Sequence, residues 1–187
     1  MSLTEESMQF MDEPQRRQVL LQWEQQQHED FSGDFLITPF GDALEGFSVR
    51  RGVWNPFITT ARHHAAYMFY HNELYRGRDA ADIGCGTGLM GIVMARNGAR
   101  NIQMSDFSAA AVENARDNIF RYGLDNVHVV KGDLFAGITK SADCITFNQP
   151  YFPGVPPEGD TIAASMLAHP DEIRRFLKTA SDYLNHG

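Results

Sequence analysis

The chain has 187 residues, 43% of them hydrophobic and 21% charged, the profile of a soluble globular protein with one sizeable core. Its formal net charge of −8 gives no electrostatic footprint for nucleic acid, since the densest basic pairs, Arg50-Arg51 and Arg174-Arg175, are isolated. The two cysteines, Cys85 and Cys144, fall in expected core elements and form no metal motif. The acidic opening MSLTEESMQFMDEPQ has no signal-like apolar core, and no run of roughly 18 apolar residues follows. A reduced, cytoplasmic protein without a membrane segment is therefore expected.

Residues 12–28 read as a helix that Asp12 caps and Pro14 opens, with Val19, Leu20 and Trp23 on one face. Residues 31–54 mix aromatics, glycines and short alternating stretches, which predicts irregular strands or a hairpin. Residues 1–55 are thus expected to be an N-terminal extension, either a lid or recognition element or a packing arm, and residues 56–187 the main domain. Between them, NPFITTARHHAAYMFYHN includes Phe57, Thr59 and Thr60. Its histidines His63, His64 and His71 lack metal-ligand spacing and read as core or surface residues, as does His128.

From residue 79 a strand, turn and helix rhythm repeats. DAADI leads into Gly84-Cys-Gly86-Thr-Gly88 and a helix closed at Gly98. NIQMS ends at Asp106, and the next helix has Ser108 as cap, Val112, Ala115 and Ile119 on one face and Gly123 as stop. VHVV ends at Lys131-Gly-Asp133, and ADCITF ends at Asn148. This alternation predicts an α/β fold with a mostly parallel, doubly wound sheet, whose ligands bind at the carboxyl ends of the strands. The last segment is an amphipathic helix with Pro170 near its start and Ile173, Phe176, Leu177, Ala180 and Leu184 on one face, running to Asn185-His186-Gly187. A further strand is expected after it, so that either the natural protein continues past Gly187 or the N-terminal strands cover the open edge of the sheet.

Asp82-Ile-Gly84-Cys-Gly86-Thr-Gly88 follows a strand and opens a helix, so a ligand can approach the backbone where free amides are presented. The G-x-G-x-G spacing differs from the G-x-G-x-x-G dinucleotide fingerprint, which points away from a nicotinamide cofactor. DIGCGTG resembles the first motif of the class I S-adenosylmethionine-dependent methyltransferases, and the similarity extends from about Pro56 to the end of the chain. The resemblance implies S-adenosyl-L-methionine as cofactor and no metal. It places Asp82, Gly84, Gly86 and Gly88 at the methionyl and ribose parts, Asp106 on the ribose hydroxyls, and Asp133 and Leu134 at the adenine. Thr59 and Thr60 match the pre-motif threonine near the methionine end.

FNQPYFPG, residues 147–154, resembles the Asn-Pro-Pro-aromatic motif of the methyltransferases that modify a glutamine amide or an aminopurine, with Asn148, Pro150 and Tyr151 matching and Gln149 replacing a proline. The chemistry can be stated without the family. A planar nitrogen is a poor nucleophile because its lone pair is delocalised, so two acceptors must hold its N–H groups. The Asn148 side-chain oxygen and the carbonyl of Gln149 supply them, and Tyr151 packs on the planar face. Pro150 still biases Gln149 toward an extended backbone. The expected activity is N-methylation of a planar amide or amino nitrogen. A protein glutamine is favoured because the chain is acidic; a nucleobase amine in RNA or DNA, or an inactive cofactor-binding subunit, are the alternatives. The loop 152–161, rich in Pro and Gly, is expected either to shape substrate access or to be a solvated connector.

Overall fold

The computed structural model describes residues 3–185. Helix α1 (Glu13–Gln25) starts at a reciprocal cap: Asp12 Oδ1 accepts the Gln15 N–H at 2.9 Å and Gln15 Oε1 accepts the Asp12 N–H at 3.1 Å. Val19 is fully buried and Trp23 half-buried, whereas Leu20 points to solvent. Strands β1 (Phe31–Leu36) and β2 (Ala43–Val49) form an antiparallel hairpin. Phe35 and Phe47 bury their rings against Phe57, which takes Phe57 into the core.

Helix α2 (Ala61–Tyr70) leads to a four-stranded sheet. Its strands are β3 (Asp79–Ile83), β4 (Asn101–Asp106), β5 (Val127–Lys131) and β6 (Cys144–Phe147), all parallel, in the order β5-β4-β3-β6. Helices α3 (Leu89–Arg96) and α4 (Ala109–Arg121) make the first two crossovers. The chain moves outward from β3 to β5 and then returns to the other side of β3. The crevice at the carboxyl ends of β3 and β6 is therefore the topological switch point, where open α/β sheets bind ligands.

Side-chain alternation decides the two faces. Ala80, Ile102, Met104, Val127, Val129 and Cys144 join the cluster under α2, α3, α4 and the hairpin. Ala81, Ile83, Ile145 and Phe147 join the cluster under α6 (Pro170–Tyr183). Two fully buried asparagines of α4 fasten the hairpin: Asn118 Oδ1 accepts the Ser48 N–H at 2.9 Å and Asn114 Oδ1 accepts the Arg50 N–H at 2.8 Å.

The strand and helix alternation seen at β3, β4 and their crossovers does not continue between β5 and β6, which are joined by tight turns over residues 132–143. The Ala136 N–H reaches the Asp133 carbonyl and the Ile138 N–H the Phe135 carbonyl, both at 3.0 Å. A Cβ on Gly132 would lie 1.8 Å from the Ala136 carbonyl oxygen, so this backbone must move to accept any side chain. Gly132→Ala is expected to lose about 1–3 kcal/mol, as overpacking does. At roughly 2–4 °C per kcal/mol this lowers the melting temperature by at least about 2 °C; an unchanged melting curve would refute the clash.

Helix α6 ends one turn earlier than its sequence pattern suggests. Leu184 leaves it in an extended conformation to bridge Ala142 in parallel, with the Ala142 N–H on the Tyr183 carbonyl at 2.8 Å and the Asn185 N–H on the Ala142 carbonyl at 2.9 Å. His186 and Gly187 lie outside the described residues. The buried face of α6 is also narrower than predicted. Phe176, Ala180 and Tyr183 pack inward, while Leu177 is 64% exposed.

A third cluster unites the N-terminus with the segment after β6. Met8, Met11 and Val19 pack on Ile162, Ala163 and Met166, the last three from α5 (Thr161–Met166). The Trp23 indole N–H donates to Asp160 Oδ2 at 3.0 Å, the Thr161 hydroxyl to the Gly52 carbonyl at 2.7 Å, and the Val155 N–H to the Ser7 carbonyl at 3.0 Å. Strands β7 (Phe152–Pro153) and β8 (Leu167–Ala168) close this segment as a short parallel pair. Among the described residues no helix is long and apolar enough to cross a membrane.

Candidate active site

A cavity of about 340 Å³ opens at the switch point. Its floor is the loop after β3. Gly84 adopts φ 63° and its missing Cβ would sit 3.0 Å from the Phe147 ring, so two constraints fall on one position. Gly88 starts α3 in the left-handed conformation, φ 83°, with the Ala115 methyl only 3.2 Å from where its own would be. Gly84, Cys85, Gly86 and Thr87 line the cavity, but Gly88 does not: it packs α3 against α4.

Asp82 is 2% exposed and accepts the Gly91 N–H, in the first turn of α3, at 3.0 Å. Burial pushes its carboxyl up to about 7, the Gly91 N–H opposes this, and the charge of Asp106 adds to it. An unfolded aspartate titrates near ~4. The folded group therefore holds its proton more tightly, and the stability this brings is present at low pH and lost as pH rises from ~4 through about 7. Asp82→Asn, the neutral isostere, is expected to be the more stable protein at pH 8 without cofactor, by at least about 3 °C in melting temperature, with the gap shrinking toward pH 5. A gap independent of pH would refute the buried, proton-holding carboxyl.

Asp106, at the end of β4, is also buried. Its Oδ2 accepts the Gly86 N–H at 2.8 Å and its Oδ1 the Ser108 N–H at 2.9 Å. Burial raises its carboxyl and these two bonds lower it. Each oxygen keeps one lone pair, so the residue can still accept two hydrogens from a vicinal diol in the cavity it lines. Beyond β5, Asp133 and Leu134 line the same cavity. Leu134 holds a left-handed backbone, φ 49°, with its carbonyl accepting the Ser105 hydroxyl; such a residue costs on the order of 1 kcal/mol unless its surroundings fix it. Asp133 Oδ2 is bonded to the Arg175 guanidinium of α6, leaving Oδ1 for a ligand.

After β6, Asn148, Gln149, Pro150 and Tyr151 all line the cavity. The Tyr151 hydroxyl donates to Asn148 Oδ1 at 2.6 Å and lies 3.4 Å from the Thr60 hydroxyl. The aspartates, the glycine loop and this segment thus meet around one space. Thr59 and Thr60 stand outside the lining. Thr59 Oγ1 accepts the Ala61 N–H at 3.3 Å and its hydroxyl points to the Pro56 carbonyl at 3.4 Å, local turn bonds ahead of α2, whose N-cap Thr60 makes no side-chain cap bond. His64 sits 3.0 Å from the Thr146 hydroxyl with its pKa lowered by burial, and His71 pairs with Glu73 at 3.0 Å. Among the described residues no three His, Cys, Asp or Glu side chains gather as a metal-ion site.

Sequence reasoning did not single out Trp54 or Glu172, which also line the cavity, or assign positions to Ala164, Ser165 and Leu167 on its outer wall. Trp54 precedes the pre-motif segment directly and could have been grouped with it. Glu172 carries only the ordinary signal of an acid in the first turn of a helix.

The family model of the methyltransferase small domain matches residues 65–187. Over 83 residues, 43% of the chain, the sequence is 41% identical to ribosomal RNA large subunit methyltransferase G of Alcanivorax borkumensis, and over the same length 37% identical to ribosomal protein L11 methyltransferase of Streptococcus pyogenes serotype M1. The matched segments span 21% and 26% of those relatives. Among solved structures, a 16S rRNA methyltransferase of T. thermophilus in complex with AdoMet and guanosine superposes with a TM-score of 0.62 at 21% identity, over 85% of this chain and 40% of that one. The ribosomal protein L11 methylase of Lactobacillus delbrueckii subsp. bulgaricus gives 0.52 at 18% identity, over 67% and 55%. These likenesses concern the fold, the parallel α/β sheet described above. With the family model covering well over half of its length, the chain belongs to the methyltransferase small domain family.

Proposed function

We propose that the chain is an S-adenosylmethionine-dependent N-methyltransferase acting on a planar amide or amino nitrogen. The observation that carries this reading is that the glycine loop after β3 and Asn148-Gln149-Pro150-Tyr151 after β6 line one cavity at the switch point of the sheet. The residues present suit the cofactor. Asp106 keeps two lone pairs for the ribose hydroxyls, Asp133 keeps Oδ1 for the adenine amino group, and Asp82 and the glycine loop stand at the start of α3 for the methionyl end.

When bound, the cofactor supplies a methyl group already activated on a sulfonium. The protein's task is then to orient the acceptor. Asn148 Oδ1 accepts the Tyr151 hydroxyl with one lone pair and offers the other to an acceptor N–H, while the Gln149 carbonyl takes the second N–H. Both hydrogens are then held in the amide plane, and the nitrogen lone pair faces the methyl group. Such alignment contributes several kcal/mol, up to ~7–11 in ideal cases. The proton released on transfer passes to water at the open mouth beside Tyr151, which is 52% exposed.

A protein glutamine side chain is the preferred acceptor, because the net charge of −8 opposes a nucleic-acid backbone. A nucleobase amine is the second reading, favoured by the rings of Trp54, Phe107, Phe147 and Tyr151 in the lining, which can stack on a base. Incubation with tritiated S-adenosylmethionine and separate protein and RNA fractions decides between them. Label in protein supports the preferred acceptor, and label only in RNA moves it to the nucleobase. Cofactor binding without label in either fraction would replace the enzyme by a binding subunit.

A further inference from the structure

Glu172 has no part in the scheme above, yet it lines the same cavity from the first turn of α6. It stands three residues before Arg175, the side chain that holds Asp133 Oδ2. Glu172 and Asp133 line the same cavity, and burial raises the Glu172 pKa, the charge of Asp133 raises it further, and Arg175 lowers it. Glu172 is half-buried, and among the described residues no group donates a hydrogen bond to its carboxylate; the Arg175 bond goes to Asp133. Two carboxylates, Asp133 and Glu172, therefore line the cavity, and the Arg175 guanidinium bonds to the first of them.

An adenine amino group has two N–H donors, and Asp133 Oδ1 accounts for one. We propose that Glu172 accepts the second, so that Asp133 and Glu172 together select a 6-aminopurine; this rests on the cofactor reading above. Arg175 is the positioning residue of the pair: by occupying Asp133 Oδ2 it turns Oδ1 to the ligand and offsets one of the two negative charges. A 6-oxopurine in the same place would set a carbonyl oxygen against two acceptors with no proton between them, which the site rejects. Glu172 thus acts on cofactor selection and not on the acceptor.

The test measures binding of two probes by calorimetry: S-adenosylhomocysteine and its purine counterpart with hydrogen in place of the 6-amino group. Glu172→Ala is expected to weaken S-adenosylhomocysteine about tenfold, the scale of one hydrogen bond to a charged group, and to leave the 6-hydrogen counterpart within about twofold. Glu172→Gln, which keeps an acceptor oxygen, should recover most of the loss. If Glu172 only steadied the start of α6, both probes would weaken equally, and that result would overturn the proposal. Unchanged binding of S-adenosylhomocysteine to Glu172→Ala would overturn it too, while leaving the cofactor site intact. Failure of the unaltered protein to bind S-adenosylhomocysteine would instead overturn the cofactor reading and the proposal with it.

Discussion

Asn148→Ala is expected to leave cofactor affinity within about twofold and to lower turnover by about 100-fold or more, the scale set by removing one positioned hydrogen-bonding group from a reacting centre. The surroundings of Asn148 make this a clean test. Its Oδ1 is bonded to the Tyr151 hydroxyl and to no main-chain group of the glycine loop, so truncation does not disturb the floor of the cavity. The freed hydroxyl still has Thr60 Oγ1 at 3.4 Å, which keeps the ring near its place. What is lost is the lone pair offered to the acceptor. Initial rates of methyl transfer, measured beside S-adenosylhomocysteine affinity, separate the two quantities. Full activity in the variant would remove Asn148 from catalysis and would return the segment after β6 to an ordinary X-Pro turn.

Asp106→Ala should weaken cofactor binding at least about tenfold through loss of two charge-assisted bonds, and the structure adds a second effect to the one inferred from sequence. The same carboxylate satisfies the Gly86 and Ser108 N–H groups, so alanine leaves both without their partner, at about 1–3 kcal/mol for each donor that water cannot reach. The cofactor-free protein should therefore also melt at lower temperature. Asp106→Asn does not rescue it, because one end of the amide would turn an N–H toward either the Gly86 or the Ser108 N–H. Calorimetry that found unchanged affinity in Asp106→Ala would refute the ribose assignment, whatever happened to stability.

The sheet and the glycine loop were legible because their signals are local. Short apolar runs ending in Asp106, Asp133 and Asn148, each followed by turn residues, announce strand ends, and parallel strands put those ends on one edge. The outer wall was not legible for the opposite reason. Trp54 and Leu167 reach the cavity through contacts between segments far apart in sequence and with no long period, so no window of residues contains the information. Glu172 was hidden differently, since an acid in a first helical turn is common for electrostatic reasons alone. Thr59 shows the converse: a threonine before a helix fits both a ligand contact and a local main-chain bond, and its Oγ1 is taken up by the Ala61 N–H. The connector between β5 and β6 carried no helix signal of its own in the sequence, and it runs as turns in which Gly132 folds directly under the Ala136 carbonyl.

The bond from Trp23 to Asp160 spans 137 residues, and that from Thr161 to Gly52 spans 109. A chain emerging during synthesis presents the glycine loop and the strand-end aspartates while Trp23 still has nothing to bond, since its partner is made well after them. Contacts of such separation also carry the largest loop-closure entropy and form late in refolding. The binding floor therefore takes shape before the wall opposite it. Trp23, made before that floor, docks after it.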